Sequence, residues 1–360
     1  MRHLSRRLVF AVLLSSCLCS AGAAFGAEYK IVTASPRGTY IEIGRDLARF
    51  VAPAAGIDLE ALPSAGSAEN VRRLRHDAGV KFALVQSDVY QAYLDQAAAG
   101  NREARGLISP LRLILPLYNE EIYFVARLDA SFDAVHEIRD QRISMGPIGS
   151  GTALTATTLY RQMFGVPVAD DKAQFQSNED GLSRLVTDKS VDVVIIVAGQ
   201  PAKVLADMQP EAKALIKLLR FDARHAASQE ALKTYFDATV KAASYPNLLR
   251  QDVPSLAVKA FLVTYNFEQG ATRRHLGGFG QSLCENFGKL QADGHPKWKE
   301  VKLEMPDVGR GWSYYPETAR RIRACLSSAA KPAAPPAPAL SPAPARPPCS
   351  QQQRILGICS

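Results

Sequence analysis

Five short stretches combine glycine or another small residue with a hydroxyl or amide. Each lies where an apolar run gives way to an amphipathic one. They are Ser35-Pro36-Arg37-Gly38-Thr39, Ser64-Ala65-Gly66-Ser67, Gln86-Ser87-Asp88, Gly146-Pro147-Ile148-Gly149-Ser150-Gly151-Thr152 and Ala198-Gly199-Gln200-Pro201. Glycine lets backbone approach a ligand closely. The first turn of a helix leaves N–H groups without intrahelical partners and carries a partial positive charge. Such a set suits a small carboxylate or another oxyanion. Ordinary helix capping uses the same residues at any one strand-to-helix turn, so at each single joint both readings stand. Five in one chain favour the ligand.

Other chemistry finds less support. Gly146–Thr152 lacks the lysine of a phosphate-binding P-loop, and it is not the Gly-x-Gly-x-x-Gly of a dinucleotide site. The Gly-x-Ser-x-Gly elbow and the His-Glu-x-x-His zinc motif are missing. His76, His136, His225, His275 and His295 lie away from the joints in polar contexts, which predicts solvated or structural roles. Asp88 has no evident acid–base partner. Glu120 and Glu121 are neighbours on an extended segment, so they point to opposite faces and do not easily share a site. Arg37, inside the first joint, either pairs with a ligand carboxylate or shields the loop from solvent. Arg127 reads better as a surface ion pair, and Trp312, Tyr314 and Tyr315 as core packing. The chain is therefore expected to be no enzyme and to carry neither cofactor nor metal.

The elements that must position these joints are legible as periodicity. Lys30–Ala34, Asp58–Leu62 and Phe82–Val85 read as strands; helices follow at Thr39–Val51, near Ser67 and at Ser87–Leu94. Leu111–Leu117 and Glu121–Ala126 read as two strands parted by Tyr118-Asn119-Glu120. Arg142–Met145 is a strand before a helix at Thr152–Phe164. Val191–Val197 is near-continuously apolar, as in a strand covered on both faces, before a helix from Pro201. The alternation predicts an α/β fold with mostly parallel strands.

The ends and the bulk properties bound the setting. Arg2, Arg6 and Arg7 precede the apolar Leu8–Leu14, and small residues follow, which reads as an export signal. Cleavage fits Ala21-Gly22-Ala23 or Ala24-Phe25-Gly26; Leu14-Ser15-Ser16-Cys17 also resembles a lipoprotein box with Cys17 as acceptor. Cys284, Cys325, Cys349 and Cys359 remain, an even number suited to an oxidising compartment. Cys284–Cys325 with Cys349–Cys359 is the preferred pairing, and free thiols are the alternative. The net charge of +8 falls to about +5 without the leader arginines and is not gathered into a stripe, so no nucleic-acid partner is expected. Residues 329–360 are rich in proline and alanine and are expected to lie outside the fold as a disordered tail.

The ordered joints resemble the TAXI family, the extracytoplasmic solute-binding proteins of tripartite ATP-independent periplasmic (TRAP) transporters. The resemblance runs through Thr33–Tyr40, Ser64–Asn70, Leu84–Asp88, Gly146–Thr152 and Val197–Pro201. His295–Trp298 and Gly311–Pro316 are similar to the C-terminal part of one subgroup. It implies a two-lobed type II periplasmic-binding-protein fold with hinge and central cleft. The implied division is a signal at 1–27, a first lobe at 28–118, a second at 119–220 and a mainly helical return to the first at 221–328. It implies capture of a small anionic solute, an organic acid or a glutamate-like amino acid, by a periplasmic monomer that delivers it to the membrane permease subunits. Ligand contacts would come from Ser35, Thr39 and Tyr40, from Ser67, from Gln86 and Ser87, from Gly149, Ser150, Gly151 and Thr152, and from Ala198 and Gly199, with Arg37 and Gly38 in the same loop. Arg37 departs from the family, which usually has glycine there. A sensor reporting to a receptor, or an exported enzyme on the same scaffold, are the alternatives.

Overall fold

The computed structural model describes residues 26–309 and 311–329. The expected signal, Cys17, the tail and the Cys349–Cys359 pairing lie outside these residues, apart from the last residues of the signal and Ala329.

One sheet organises the chain. Its strands are β1 (Ala27–Val32), β2 (Ile57–Leu62), β3 (Val80–Gln86), β4 (Leu111–Arg127), β5 (Ile143–Ser144), β6 (Ala173–Gln174), β7 (Val193–Ala198), β8 (Ile216–Leu218), β9 (Phe236–Val240) and β10 (Val253–Tyr265). The spatial order is β2-β1-β3-β10-β4-β7-β5-β6, with β8 on β4 and β9 on β10. Parallel pairing is confined to the flanks, β2-β1-β3 and β7-β5-β6, and the centre is antiparallel. The sheet is thus mixed where mostly parallel strands were expected.

The two expected strands at 111–126 are one. β4 runs unbroken for 17 residues, about 58 Å at ~3.4 Å per residue. Tyr118, Asn119 and Glu120 do not interrupt it, because Asn119 and Glu120 pair with Lys259 and Val258 of β10. Tyr118 and Glu120 are buried and Asn119 is half-buried within the sheet, so a polarity break was the wrong signal for a chain break.

β4 and β10 pass through two pairs of cores, one pair in each half. Beside their Leu111–Tyr118 and Ala260–Tyr265 portions, Phe82, Leu262, Phe279 and Trp298 pack on one face and Val85, Tyr90, Leu113 and Tyr265 on the other. Beside the Ile122–Ala126 portion of β4, Phe124, Ile195, Tyr160 and Tyr235 lie on one face and Val125, Ile196, Leu205 and Tyr245 on the other. Alternate residues of β7 enter opposite cores, which explains its unbroken apolar run. Trp312 stacks on Tyr90 at 3.6 Å between centroids. Residues 221–258 belong with the second pair of cores, since Phe221, Tyr235, Tyr245 and Val258 are buried there. The return to the first half comes inside β10, and the boundary expected at 220/221 falls within the second half.

The strand directions decide where the joints go. β1, β2 and β3 run one way; β5, β6 and β7 run the other, because two antiparallel strands separate the sets. β3 ends at Gln86, opposite Ala260, and β7 ends at Ala198, opposite Glu121. Both sets therefore point their carboxyl ends at the same stretch of β4 and β10, from opposite directions.

Candidate functional site

Five helices start at these strand ends. Thr39–Phe50 begins behind Gly38, Ser67–His76 behind Gly66 and Ser87–Ala98 behind Gln86; none of the three has a side-chain cap. Gly151–Phe164 is capped by Ser150, whose hydroxyl accepts from the Ala153 N–H at 2.9 Å, and Asn178–Val186 by Ser177, which accepts from Asp180 N–H at 3.0 Å. Capping thus accounts for the serines of the second half. In the first half no N-cap side chain serves; the Val89 N–H is held by Asp88 Oδ1 at 2.8 Å and the Glu69 N–H by the Gly149 carbonyl. Gly66 is needed for two reasons: its φ is +130°, and a Cβ there would sit 3.2 Å from Ser150 Cα.

Between these starts lies a cavity of about 120 Å³. An aromatic ring fills an apolar cavity of roughly 150 Å³, so the space fits a molecule of a few heavy atoms. From the first half Ser35, Gly38, Thr39, Tyr40, Gly66, Ser67 and Gln86 line it; from the second, Ser150, Gly151, Thr152, Asn178 and Ala198. Among the described residues lining it there is no Lys, Arg or His. Any oxyanion held there is held by amides and hydroxyls.

Glu120 of β4 lies in this wall and is 3% exposed. Among the described residues its Oε2 has no hydrogen-bond partner, nor do the neighbouring Tyr40 Oη and Gln86 Oε1. Burial pushes the Glu120 carboxyl up to about 8, against the opposing influence of Tyr40 and Gln86 beside it. Burial, and then Glu120, drive the Tyr40 hydroxyl well above its ordinary value.

Glu121 points the other way, as its strand position requires. Its Oε1 accepts from Lys297 Nζ at 2.8 Å and from Gln200 Nε2 at 3.0 Å, and its Oε2 from Gln200 N–H at 2.9 Å. Gln200 Nε2 also donates to the Thr239 carbonyl. Burial raises the Glu121 carboxyl and Lys297 lowers it. This pair joins the Pro296–Glu300 turn to the second half behind the cavity.

The halves also touch across the cavity mouth. Thr39 Oγ1 donates to the Gly199 carbonyl at 3.1 Å, and Glu69 N–H to the Gly149 carbonyl at 3.0 Å. Lys203 Nζ lies 3.4 Å from Glu42 Oε1.

Four residues expected in the site lie elsewhere. Arg37 is exposed, with its N–H on Ser35 Oγ, and does not reach the cavity. Ser87 opens onto a separate cavity beside Phe236 and Trp312. Gly149 and Gly199 contribute carbonyls to the cross-cleft bonds and do not line the space. Arg127, not among those four, forms the ion pairs that its sequence reading preferred, with Asp129 and Asp192 at the far end of β4. Two features were missed. Glu120 was set aside because its neighbour faces away. The Ser177 joint follows a two-residue strand, too short to stand out, though Ser177-Asn178-Glu179-Asp180 carries a helix-start pattern. Cys284 and Cys325 are bonded to each other. Among the described residues no helix is long and apolar enough to cross a membrane.

Among solved structures the chain is similar to the periplasmic binding protein BugD, at 13% identity and a TM-score of 0.48, covering 84% of this chain and 95% of that one. It is similar to a binding-protein component of an ABC phosphonate transporter from Pseudomonas aeruginosa, at 12% and 0.47, covering 84% and 95%. It is similar to XAC2383 from Xanthomonas citri bound to ATP, at 12% and 0.47, covering 84% and 99%. The family model described as NMT1-like matches residues 31–305, most of the sequence. This chain belongs to the NMT1-like family.

Proposed function

We propose that this protein is an extracytoplasmic solute-binding protein that captures a small carboxylate between its two halves and delivers it to a membrane permease. The observation that carries this reading is the convergence of helix starts from both halves on one small polar cavity. Fixed N–H groups there replace the water a buried anion loses. β4 and β10 are the two strands shared by both pairs of cores, so bending them at Tyr118–Glu121 and Val258–Ala260 opens the cleft. The solute favours the closed form through the contacts it makes to both sides. The TAXI resemblance supports a TRAP permease as the partner, and the export-signal pattern at the N-terminus supports the periplasm as the site of action. Native mass spectrometry of freshly purified protein tests the reading. A co-purified small acid, lost on denaturation and rebound in calorimetry, supports it. Turnover of that acid by the protein would point to an enzyme instead.

A further inference from the structure

We infer that Glu120 binds the solute as a neutral acid, its carboxyl proton shared with an oxyanion of the ligand. The inference rests on the reading of the cavity as an anion site. It adds to that reading a residue and a proton.

The geometry leads there in three steps. First, Glu120 is buried in the cavity wall, so its carboxyl is cut off from bulk water, and its neighbours there are the uncharged Tyr40 and Gln86. Second, the cation that would keep Glu120 ionised is spent elsewhere: Lys297 Nζ bonds to Glu121 and Glu300 on the other face of the strand. Third, an ionised Glu120 would face an incoming anion with like charge, in a space where, among the described residues, no lysine, arginine or histidine lines the wall. A protonated carboxyl removes that repulsion and supplies a donor.

The groups packed around Glu120 agree with this protonation. Tyr40, on the helix Thr39–Phe50, is a phenol pushed well above its ordinary range and stays neutral. Gln86, at the end of β3, is uncharged. Glu121, next along β4, adds to the upward push, and the distant side of Lys297 opposes it only weakly after burial. Glu179, from the second half, is a further acid lining the cavity. Tyr118, on the same strand, is likewise driven up by burial and then by Glu120. With burial holding the Glu120 carboxyl near 8, the proton is present at neutral pH and is lost in mild base.

Binding is therefore proton-linked. A solute that is fully ionised throughout binds the protonated protein, so affinity is constant below the Glu120 titration and falls about tenfold per pH unit above it. The test is calorimetry on the full mature chain with pyruvate, succinate and 2-oxoglutarate, from about pH 7 to about pH 9.5, in buffers of differing ionisation enthalpy. The expected result is weakening above about pH 8 with proton uptake on binding. Glu120→Gln, which keeps a neutral donor, weakens binding by roughly three- to tenfold and removes the fall in base; Glu120→Ala weakens it by more than about thirtyfold. Thermal melts establish that each variant is folded. Affinity that is flat or rises with pH overturns the inference, as does Glu120→Gln binding as poorly as Glu120→Ala. Failure of the anion-site reading looks different: none of the three acids binds, or binding survives Ser150→Ala with Thr152→Ala at wild-type affinity.

Discussion

Thr155 donates its hydroxyl proton to Asp88 Oδ2 at 2.6 Å, joining the helix Gly151–Phe164 of one half to the helix Ser87–Ala98 of the other. Tyr235 Oη reaches the same oxygen at 3.3 Å. Burial pushes Asp88 up to about 6, while Thr155, the Val89 N–H and Tyr235 oppose the rise. Its ordinary value is 3.8, so the folded protein holds a proton between about pH 4 and pH 6 that the unfolded chain has lost. This group's contribution to stability is present below its unfolded value and declines as pH rises through the folded one. In Asp88→Asn that decline vanishes. Relative to wild type, the variant should gain up to about 3 kcal/mol between pH 4 and pH 7. Denaturant unfolding across that range measures it; a constant difference would refute the assignment.

Lys297 is fully buried against Glu121. Removing its charge leaves a buried carboxylate without its cation, so Lys297→Met should cost about 3–5 kcal/mol. Adding Glu121→Gln should recover part of that loss, because the stranded charge is then gone. A double-mutant cycle by chemical denaturation reads the coupling, and additive costs would show that the pair is not coupled.

Gly151 faces Gln86 across the cleft so closely that a Cβ there would lie 1.5 Å from Gln86 Oε1. Gly151→Ala should therefore displace the Gln86 carboxamide, or hold the halves apart, while each core still packs. The expected outcome is a melting temperature close to wild type with solute affinity reduced at least tenfold. Small-angle scattering with saturating solute should show that the variant fails to reach the wild-type compactness.

Ser150→Ala with Thr152→Ala removes two hydroxyl groups of the cavity wall and the cap on Ala153 N–H. The cap should cost about 1 kcal/mol in stability. Solute binding should weaken well beyond what that loss explains, and calorimetry beside a denaturation curve separates the two effects.

The bond between Cys284 and Cys325 joins the helices Gly270–Glu285 and Pro316–Ala329 across 41 residues. A loop of that length restricts the unfolded chain by about 4 kcal/mol in the chain-entropy model. Cys284→Ser with Cys325→Ser should lower unfolding free energy by that order and leave solute affinity largely unchanged, because the two helices lie outside the cavity wall. An equal loss in affinity would show that the cleft depends on this crosslink.

Much of the architecture was readable from periodicity. Ile43 and Leu47 recur at helical spacing and are buried, and Val193–Val197 is apolar on both faces because both faces are covered. The site was readable in part, because glycine and hydroxyl residues at strand ends are local features. Arg37 was misleading: its position in the loop said nothing of its side chain's direction, and it points to solvent. Opposite facing of Glu120 and Glu121 argues only against a shared site, and it leaves Glu120 free to enter the cavity alone. Tyr118-Asn119-Glu120 looked like a break because polarity was read as exposure.

By itself, the sequence determined many of the strands and helices up to about Pro201, which turns between them are small and polar, and which residues could cap a helix start. These are short-range properties, set by side-chain period and backbone freedom. Only the tertiary structure decided that two sets of parallel strands run head to head, because direction follows from pairing between β10, β3, β4 and β7, whose partners are far apart in the chain. That pairing brings Gln86 and Ala198 to one stretch of β4, turns Glu120 into the cavity and buries Glu121 against Lys297. Residue order states what each turn can offer; long-range pairing determines which turns share a space.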